Sequence, residues 1–445
     1  MHINVLLSNY LNTISKRIVI LSKQSLFTNA GYLVGIETIN SIIGFLFWTL
    51  AARMYSPENL GFASAVLSSI AIVSMIASFG TGNGLIRFLP SSVSPNRMLN
   101  SLFLFNALAA CLVGTFYLVG LPIWSASLAN FRENILQVVG FVIYCLVITL
   151  NSSLRMTFLA LRRAKYAFRQ AVISNSFRLI LVILLTGFAV WGIIGSLFFA
   201  VLITALISFL VFLPRAFPSY RPILIFSWTD LSSILPYSFG IYIASLMIQA
   251  PARLFPIIAL ESIGSASAAH VHITFLVGGM LVTPGMGLAT SAFVESSNNP
   301  QESASIFSKA ALTGLAITLL GSIILIFVSP WLLLLFGVSY SIAGTELLRW
   351  LSVTAPFVVL TGVYFAYLRF KQRIKRLVGL SLIMLIVSLA IAHSFTPSIG
   401  TSAFGIGWFV SFLVLAVIIL VETYTSNSLH EFRKQTYLII SHLLR

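Results

Sequence analysis

Charge is what this sequence has least of. Ten acidic residues stand in 445, and Asp, Glu, Lys and Arg together make up 8% of the chain, whereas a soluble domain carries about 25%. Water is therefore not the solvent for most of the surface. Cysteine is as scarce: Cys111 and Cys145 both fall inside apolar runs, so a disulfide framework is not indicated. Also missing are a glycine loop with its lysine for nucleotide phosphates, a His–carboxylate or Cys–His spacing for a metal and a nucleophile elbow. No cofactor and no covalent chemistry is signalled. On the less basic side, no connection is long enough for the external catalytic domain that a membrane glycan polymerase or ligase would need.

What is present is apolar length. The chain is 58% hydrophobic with a mean hydropathy of +1.01, and continuous apolar runs of roughly 20 residues recur throughout. Continuous rather than alternating runs exclude a β-barrel. The expected fold is an all-α polytopic membrane protein with twelve spans. Six lie at about 30–52, 60–82, 99–121, 135–160, 171–190 and 192–213. Six more lie at about 237–260, 267–293, 306–329, 346–370, 377–395 and 403–421. A basic segment 1–29, a polar connector 214–236 and a tail 422–445 complete the expected organisation.

The net charge of +16 would suggest nucleic acid in a soluble protein; here it reads as topology and contact with anionic lipid, and no nucleic acid is expected. Connections after even-numbered spans carry the Lys and Arg, among them Arg87 and Arg97, the cluster Arg162, Arg163, Lys165 and Arg169, and the cluster Arg369, Lys371, Arg373, Lys375 and Arg376. Connections after odd-numbered spans hold only Arg53 and Arg132, each near a carboxylate, Glu58 and Glu133. Both termini are therefore expected in the cytoplasm, with the chain in the cell membrane.

The two halves repeat. Glu58-Asn-Leu-Gly-Phe-Ala-Ser-Ala65 aligns without gaps on Glu261-Ser-Ile-Gly-Ser-Ala-Ser-Ala268, and the basic stretch 161–169 corresponds to 368–376, each after the fourth span of its half. Six spans is an even number, so the copies run the same way through the membrane. That predicts two parallel-repeat six-helix lobes around a central cavity.

An ionised side chain at mid-membrane costs about 2.5–3.5 kcal/mol on insertion scales, which singles out Glu37, Arg155, Arg178 and Arg253. On the first span Glu37, Asn40, Ser41 and Gly44 form one polar stripe; on the seventh Ser238, Tyr242, Ser245, Gln249 and Arg253 form another. Pro251 and Pro256, and Pro284 with its neighbouring glycines, are expected to interrupt spans seven and eight as in transporter sites. The candidate substrate-binding residues are Arg53, Arg178, Arg253, Gln249 and Asn40, with Glu37 a candidate for a coupling proton or Na⁺. Plainer readings stand beside these. Arg155 can snorkel towards Arg162 and Arg163, Glu37 can pair with Arg178, Arg253 can reach outward, and Arg53 can pair with Glu58. His270 and His272 read as packing residues rather than proton carriers.

The chain resembles the oligosaccharide flippases of the multidrug/oligosaccharidyl-lipid/polysaccharide exporter superfamily, the group handling O-antigen and related precursors. The resemblance is carried by Ala52-Arg-Met-Tyr-Ser-Pro-Glu-Asn-Leu-Gly61, by Gly82-Asn-Gly-Leu-Ile-Arg-Phe-Leu-Pro90, by Leu161-Arg-Arg-Ala-Lys-Tyr-Ala-Phe-Arg-Gln170, and by Leu334-Leu-Phe-Gly337 with Tyr340. It implies twelve helices in two lobes, alternating access, and a lipid-pyrophosphate-linked oligosaccharide moved from the cytoplasmic leaflet outward past cationic cavity residues. Three intramembrane arginines against one glutamate agree with an anionic cargo. The alternatives are a cation-coupled multidrug antiporter of the same superfamily and a non-transporting scaffold that assembles with other glycan-assembly proteins.

Overall fold

In the computed structural model residues 31–33 and 35–425 are described; the expected segment 1–29 and the tail beyond 425 lie outside them. Twelve long helices account for nearly all of these residues. The first six are α1 Gly31–Met54, α2 Pro57–Ala77, α3 Pro95–Val119, α4 Ile135–Ala160, α5 Ala164–Leu184 and α6 Val190–Ala216. The second six are α7 Trp228–Ile263, α8 Ser265–Asn298, α9 Ser303–Leu334, α10 Val338–Phe370, α11 Ile374–Ile399 and α12 Ser402–Thr425. All twelve are long and apolar enough to cross a membrane.

Local chemistry sets several of the ends. Ser56 caps α2, its hydroxyl accepting from the Asn59 amide, with Pro57 at the first helical position and Glu58 in the first turn. Asn134 caps α4 and Ser227 caps α7 in the same way. Three expectations need correction. Residues 78–82 do not extend α2: Phe79 and Gly80 take positive φ and turn the chain into a separate short helix, Thr81–Phe88. Nor are spans seven and eight interrupted, since α7 runs unbroken past Pro251 and Pro256 and α8 past Pro284. α7 also begins at Trp228, well inside the expected connector.

The repeat is visible in the backbone. α4 ends with Arg162 left-handed at φ 55°, its amide bonded to Leu159 O and the Arg163 amide to Phe158 O. α10 ends with Gln372 at φ 55°, its amide bonded to Arg369 O and the Arg373 amide to Leu368 O. Both are Schellman closures at the same place in their lobes. The following turn repeats as well, with Ala189 at φ 49° before α6 and Gly400 at φ 61° before α12.

α2 joins the lobes, packing on both α7 and α8. The repeated turns meet where α2 and α8 begin. A Cβ on Gly61 would lie 1.6 Å from the Ser265 carbonyl oxygen, so only glycine permits that crossing. At this end, opposite the basic connections, one apolar core runs through both lobes, from Phe47, Leu60 and Ile193 to Phe255, Leu347 and Phe404. Toward the basic end the core divides. One part, around Leu99, Phe158 and Leu213, belongs to the first lobe, and the other, around Phe307, Leu368 and Met384, to the second. The first turns of α7, through Leu231 and Ile234, pack into the first lobe's core. The lobes are thus fused at the far end and parted at the basic end, with α7 crossing from one to the other.

Candidate functional site

A cavity of about 350 Å³ opens between the helices of the first lobe and α7. Its polar lining comes from Asn40 on α1, Ser74 on α2, Asn151, Ser152 and Arg155 on α4, Gln170, Ser174, Asn175 and Arg178 on α5, and Gln249 and Arg253 on α7. Helical spacing explains the convergence. Asn151 and Arg155 stand four apart on α4, as do Gln249 and Arg253 on α7, while Ser174 and Arg178 do the same on α5, so each helix turns one polar face to the same space. Among the described residues three guanidinium groups line the cavity and no acidic side chain does.

The amides hold the walls together and leave acceptors free. Asn175 Nδ2 donates to Asn40 Oδ1 at 2.9 Å and to Ala171 O at 2.6 Å. Gln170 Nε2 donates to Asn151 O and Oδ1, at 2.9 and 2.6 Å. The other amide oxygens, Gln170 Oε1 and Asn175 Oδ1, are buried with no partner. Arg178 is the mirror case: its Nε and Nη2 are buried without an acceptor, and the guanidinium lies 5.7 Å from the Phe47 ring centre. Unpaired buried donors of a permanent cation are costly. Arg178 lines the cavity, so the group most in need of an acceptor stands at its wall.

Of the candidates from the sequence, Asn40, Arg178, Gln249 and Arg253 line this one cavity. Arg53 does not. It donates from Nε to Leu335 O at 2.8 Å and from Nη2 to Leu334 O at 2.5 Å, capping the end of α9 where a cation suits the helix dipole. The Arg53–Glu58 pair is therefore not formed. Glu37 stands exposed, outside the cavity lining, and makes no ion pair with Arg178; its electrostatic partner is Arg155. Arg155 itself lines the cavity instead of extending to the basic turn. The α7 stripe divides in two: Tyr242 donates to Met75 O and Ile76 O, both at 3.0 Å, and fastens α7 to α2, leaving Gln249 and Arg253 for the cavity. His270 packs edge-on against Tyr340 and His272 against Trp48.

Sequence reading missed Gln170 and Asn151. A hydropathy boundary at 171 leaves Gln170 in a basic loop, but α5 begins at Ala164 and carries Gln170 in its second turn. The signal available was the length of the turn: once α4 closes at Arg162, the basic residues Lys165 and Arg169 are already helical.

The fold is thus two six-helix lobes joined at one end, with a cavity lined by the first lobe and α7. The solved structures it resembles have that architecture. The lipid II flippase MurJ in an inward closed conformation matches with a TM-score of 0.73 at 12% identity, covering 91% of this chain and 90% of that one. A multidrug resistance MATE family transporter of the MOP superfamily matches in its inward-facing conformation with a TM-score of 0.67 at 14% identity, covering 89% of this chain and 96% of that one. An outward-facing MATE structure matches with a TM-score of 0.60 at 14% identity over 92% and 96%. No curated protein matches the chain. The polysaccharide biosynthesis protein family model matches residues 26–272, and the chain belongs to that family.

Proposed function

We propose that this protein is a flippase that carries a polyprenyl-pyrophosphate-linked oligosaccharide from the cytoplasmic to the outer leaflet by alternating access, for surface polysaccharide synthesis. The observation that carries the reading is Arg178, with two buried, unbonded guanidinium nitrogens in a cavity of three arginines and no carboxylate. A pyrophosphate joint supplies the charge and the planar oxygen pairs that guanidinium groups bind bidentately. Sugar hydroxyls supply donors for Gln170 Oε1 and Asn175 Oδ1. A cationic drug would meet repulsion in the same space.

The division of the apolar core supports an opening toward the basic end. With the basic connections in the cytoplasm, the parted end faces the leaflet where such precursors are assembled, and the higher TM-score to the inward-facing than to the outward-facing MATE structure agrees with that. Glu37, exposed and coupled electrostatically to Arg155, is the candidate for binding a proton or Na⁺ that drives the cycle.

The test is transport of a labelled short-chain polyprenyl-pyrophosphate oligosaccharide in proteoliposomes. Losing a charged hydrogen bond of about 1.5–3 kcal/mol predicts at least a ~10-fold drop for Arg178→Ala, with partial recovery in Arg178→Lys. Wild-type rates in an Arg178→Ala, Arg253→Ala double variant would overturn the reading. So would competition by organic cations but not by lipid pyrophosphates.

A further inference from the structure

A second cavity, of about 340 Å³, lies in the first lobe. Its walls come from successive turns of the same helices: Ile70 on α2, Phe141 and Tyr144 on α4, and Trp191, Ile194 and Phe198 on α6. Two of its lining rings, Tyr144 and Phe198, meet edge-on with centres 5.3 Å apart. Where the first cavity is lined by amides and guanidinium groups, this one is lined mainly by aromatic and branched apolar side chains.

The mouth opens among exposed apolar side chains on the outer face of the lobe. Leu136 (77% exposed) and Trp191 (40%) flank it, and the α4 face beside it continues with Val139 and Ile143, also exposed. Gly140 and Gly195 form part of the rim, and a Cβ on Gly140 would touch nothing within 4 Å. The lining residues Phe131, Asn134 and Gln137 adjoin in sequence the exposed Arg132 and Glu133, which lie outside the lining, with Arg132 donating from Nη1 to Val119 O at 3.3 Å. An apolar slot with a short polar rim, opening to the bilayer at the depth where a helix emerges from it, has the amphipathic order of a lipid.

We propose that this pocket holds one zwitterionic, amine-bearing phospholipid of the outer leaflet. One of its two acyl chains lies between α4 and α6, and its phosphate and ammonium sit against Arg132 and Glu133. Adjacent charges of opposite sign fit a headgroup that carries both, better than one that carries only a phosphate. The volume is at the lower end of the roughly 300–1,000 Å³ of small-molecule sites, enough for part of one chain. The lipid would fill the gap between α4 and α6, and so keep the first lobe rigid and Tyr144 seated while the lobes move. That last consequence rests on the transport reading; the binding does not.

Native mass spectrometry of the purified chain in mild detergent tests the binding without cargo. The expected result is one phosphatidylethanolamine retained after delipidation that removes other lipid. Gly140→Phe and Gly195→Phe, which fill the slot, would reduce that adduct at least ~10-fold, while Gly140→Ala keeps it. Arg132→Ala with Glu133→Ala would remove the preference for phosphatidylethanolamine over phosphatidylglycerol. Thermal melting of each variant separates a filled slot from a misfolded lobe. Equal retention by wild type and both phenylalanine variants, or no adduct outlasting loosely held annular lipid, would overturn the proposal and leave the cargo assignment untouched.

Discussion

Ser125 Oγ lies 2.5 Å from Glu261 Oε1, and the two residues belong to different lobes. Glu261, at the end of α7, also accepts from the Ser127 amide at 3.0 Å and the Ser127 hydroxyl at 3.1 Å. Arg53 makes the reciprocal contact, reaching from α1 to the carbonyls that end α9. Each lobe sends one charged group onto polar atoms of the other, at the end where the apolar core is shared. These groups are near water, so the contacts can be exchanged for hydration when the lobes part. Such contacts bias a two-state equilibrium without locking it.

Removing either contact should therefore favour the opposite state. Glu261→Ala or Arg53→Ala forfeits charge-assisted bonds that, discounted for exposure, are worth about 1–2 kcal/mol, a shift of roughly 5–30-fold in population. A cysteine at Asn59, in a background lacking Cys111 and Cys145, reports it through its labelling rate by a membrane-impermeant maleimide. The rate should rise in both variants, and most in the double one. Rates equal to the parent's would show that these bonds do not hold the end closed.

The α2–α8 crossing is stiffer. With the Ser265 carbonyl oxygen 1.6 Å from the position of a Gly61 Cβ, even alanine has no room without moving a helix backbone. Gly61→Ala should cost about 1–3 kcal/mol, as overpacking does, and lower the melting temperature. Gly61→Leu should leave the far end permanently accessible to the same maleimide. The equivalent change at Gly379, where nothing lies within 4 Å, serves as the tolerated control.

If the unpaired amide oxygens receive sugar hydroxyls, their removal should discriminate between cargoes. Gln170→Leu deletes Oε1 but also the bond that ties α5 to Asn151, so uptake of the glycosylated lipid should fall ~5–10-fold, the worth of about one hydrogen bond. A polyprenyl pyrophosphate with no sugar should be handled nearly as by wild type. Equal losses for both would assign Gln170 to helix packing alone.

Much of this was legible without coordinates, for reasons particular residues make plain. Hydrocarbon forces long apolar runs, so all twelve helices could be counted. The turn at Glu58 and Glu261 revealed the repeat because a close crossing keeps its small residues. Arg178 and Arg253 stood out because charge inside a span demands a reason. Pairing with Glu58, the plainer reading of Arg53, rested on proximity in sequence, and nothing in the sequence says that the end of α9, nearly three hundred residues on, lies closer. Gln170 was hidden because hydropathy averages over the very turn that determines where α5 starts. The proline expectation failed through its premise: in α7 and α8 the chain keeps its helical course past each proline, with small residues and neighbouring helices beside it.

The connector offers a stability test outside the membrane spans. Tyr220, between α6 and α7, is buried and donates from Oη to Asn100 Oδ1 at 2.7 Å; Asn100 in turn donates to Arg221 O at 2.8 Å, which ties the connector to α3. Burial away from water penalises the phenolate and pushes the Tyr220 hydroxyl up to about 12, from an ordinary value of 10.0. The folded state therefore favours the neutral phenol. Below pH 10 folded and unfolded chains are both protonated, and the contribution is fully present. Between pH 10 and 12 only the unfolded chain ionises, so stability should fall with rising pH across that window. Tyr220→Phe removes the slope along with the hydrogen bond. In detergent, its melting temperature should be lower than wild type at pH 8, by the cost of leaving Asn100 Oδ1 unpaired, and the gap should narrow steadily above pH 10. A gap that stays constant to pH 12 would mean that Tyr220 ionises in the folded protein as easily as in water, and that the connector is not packed against α3 as described.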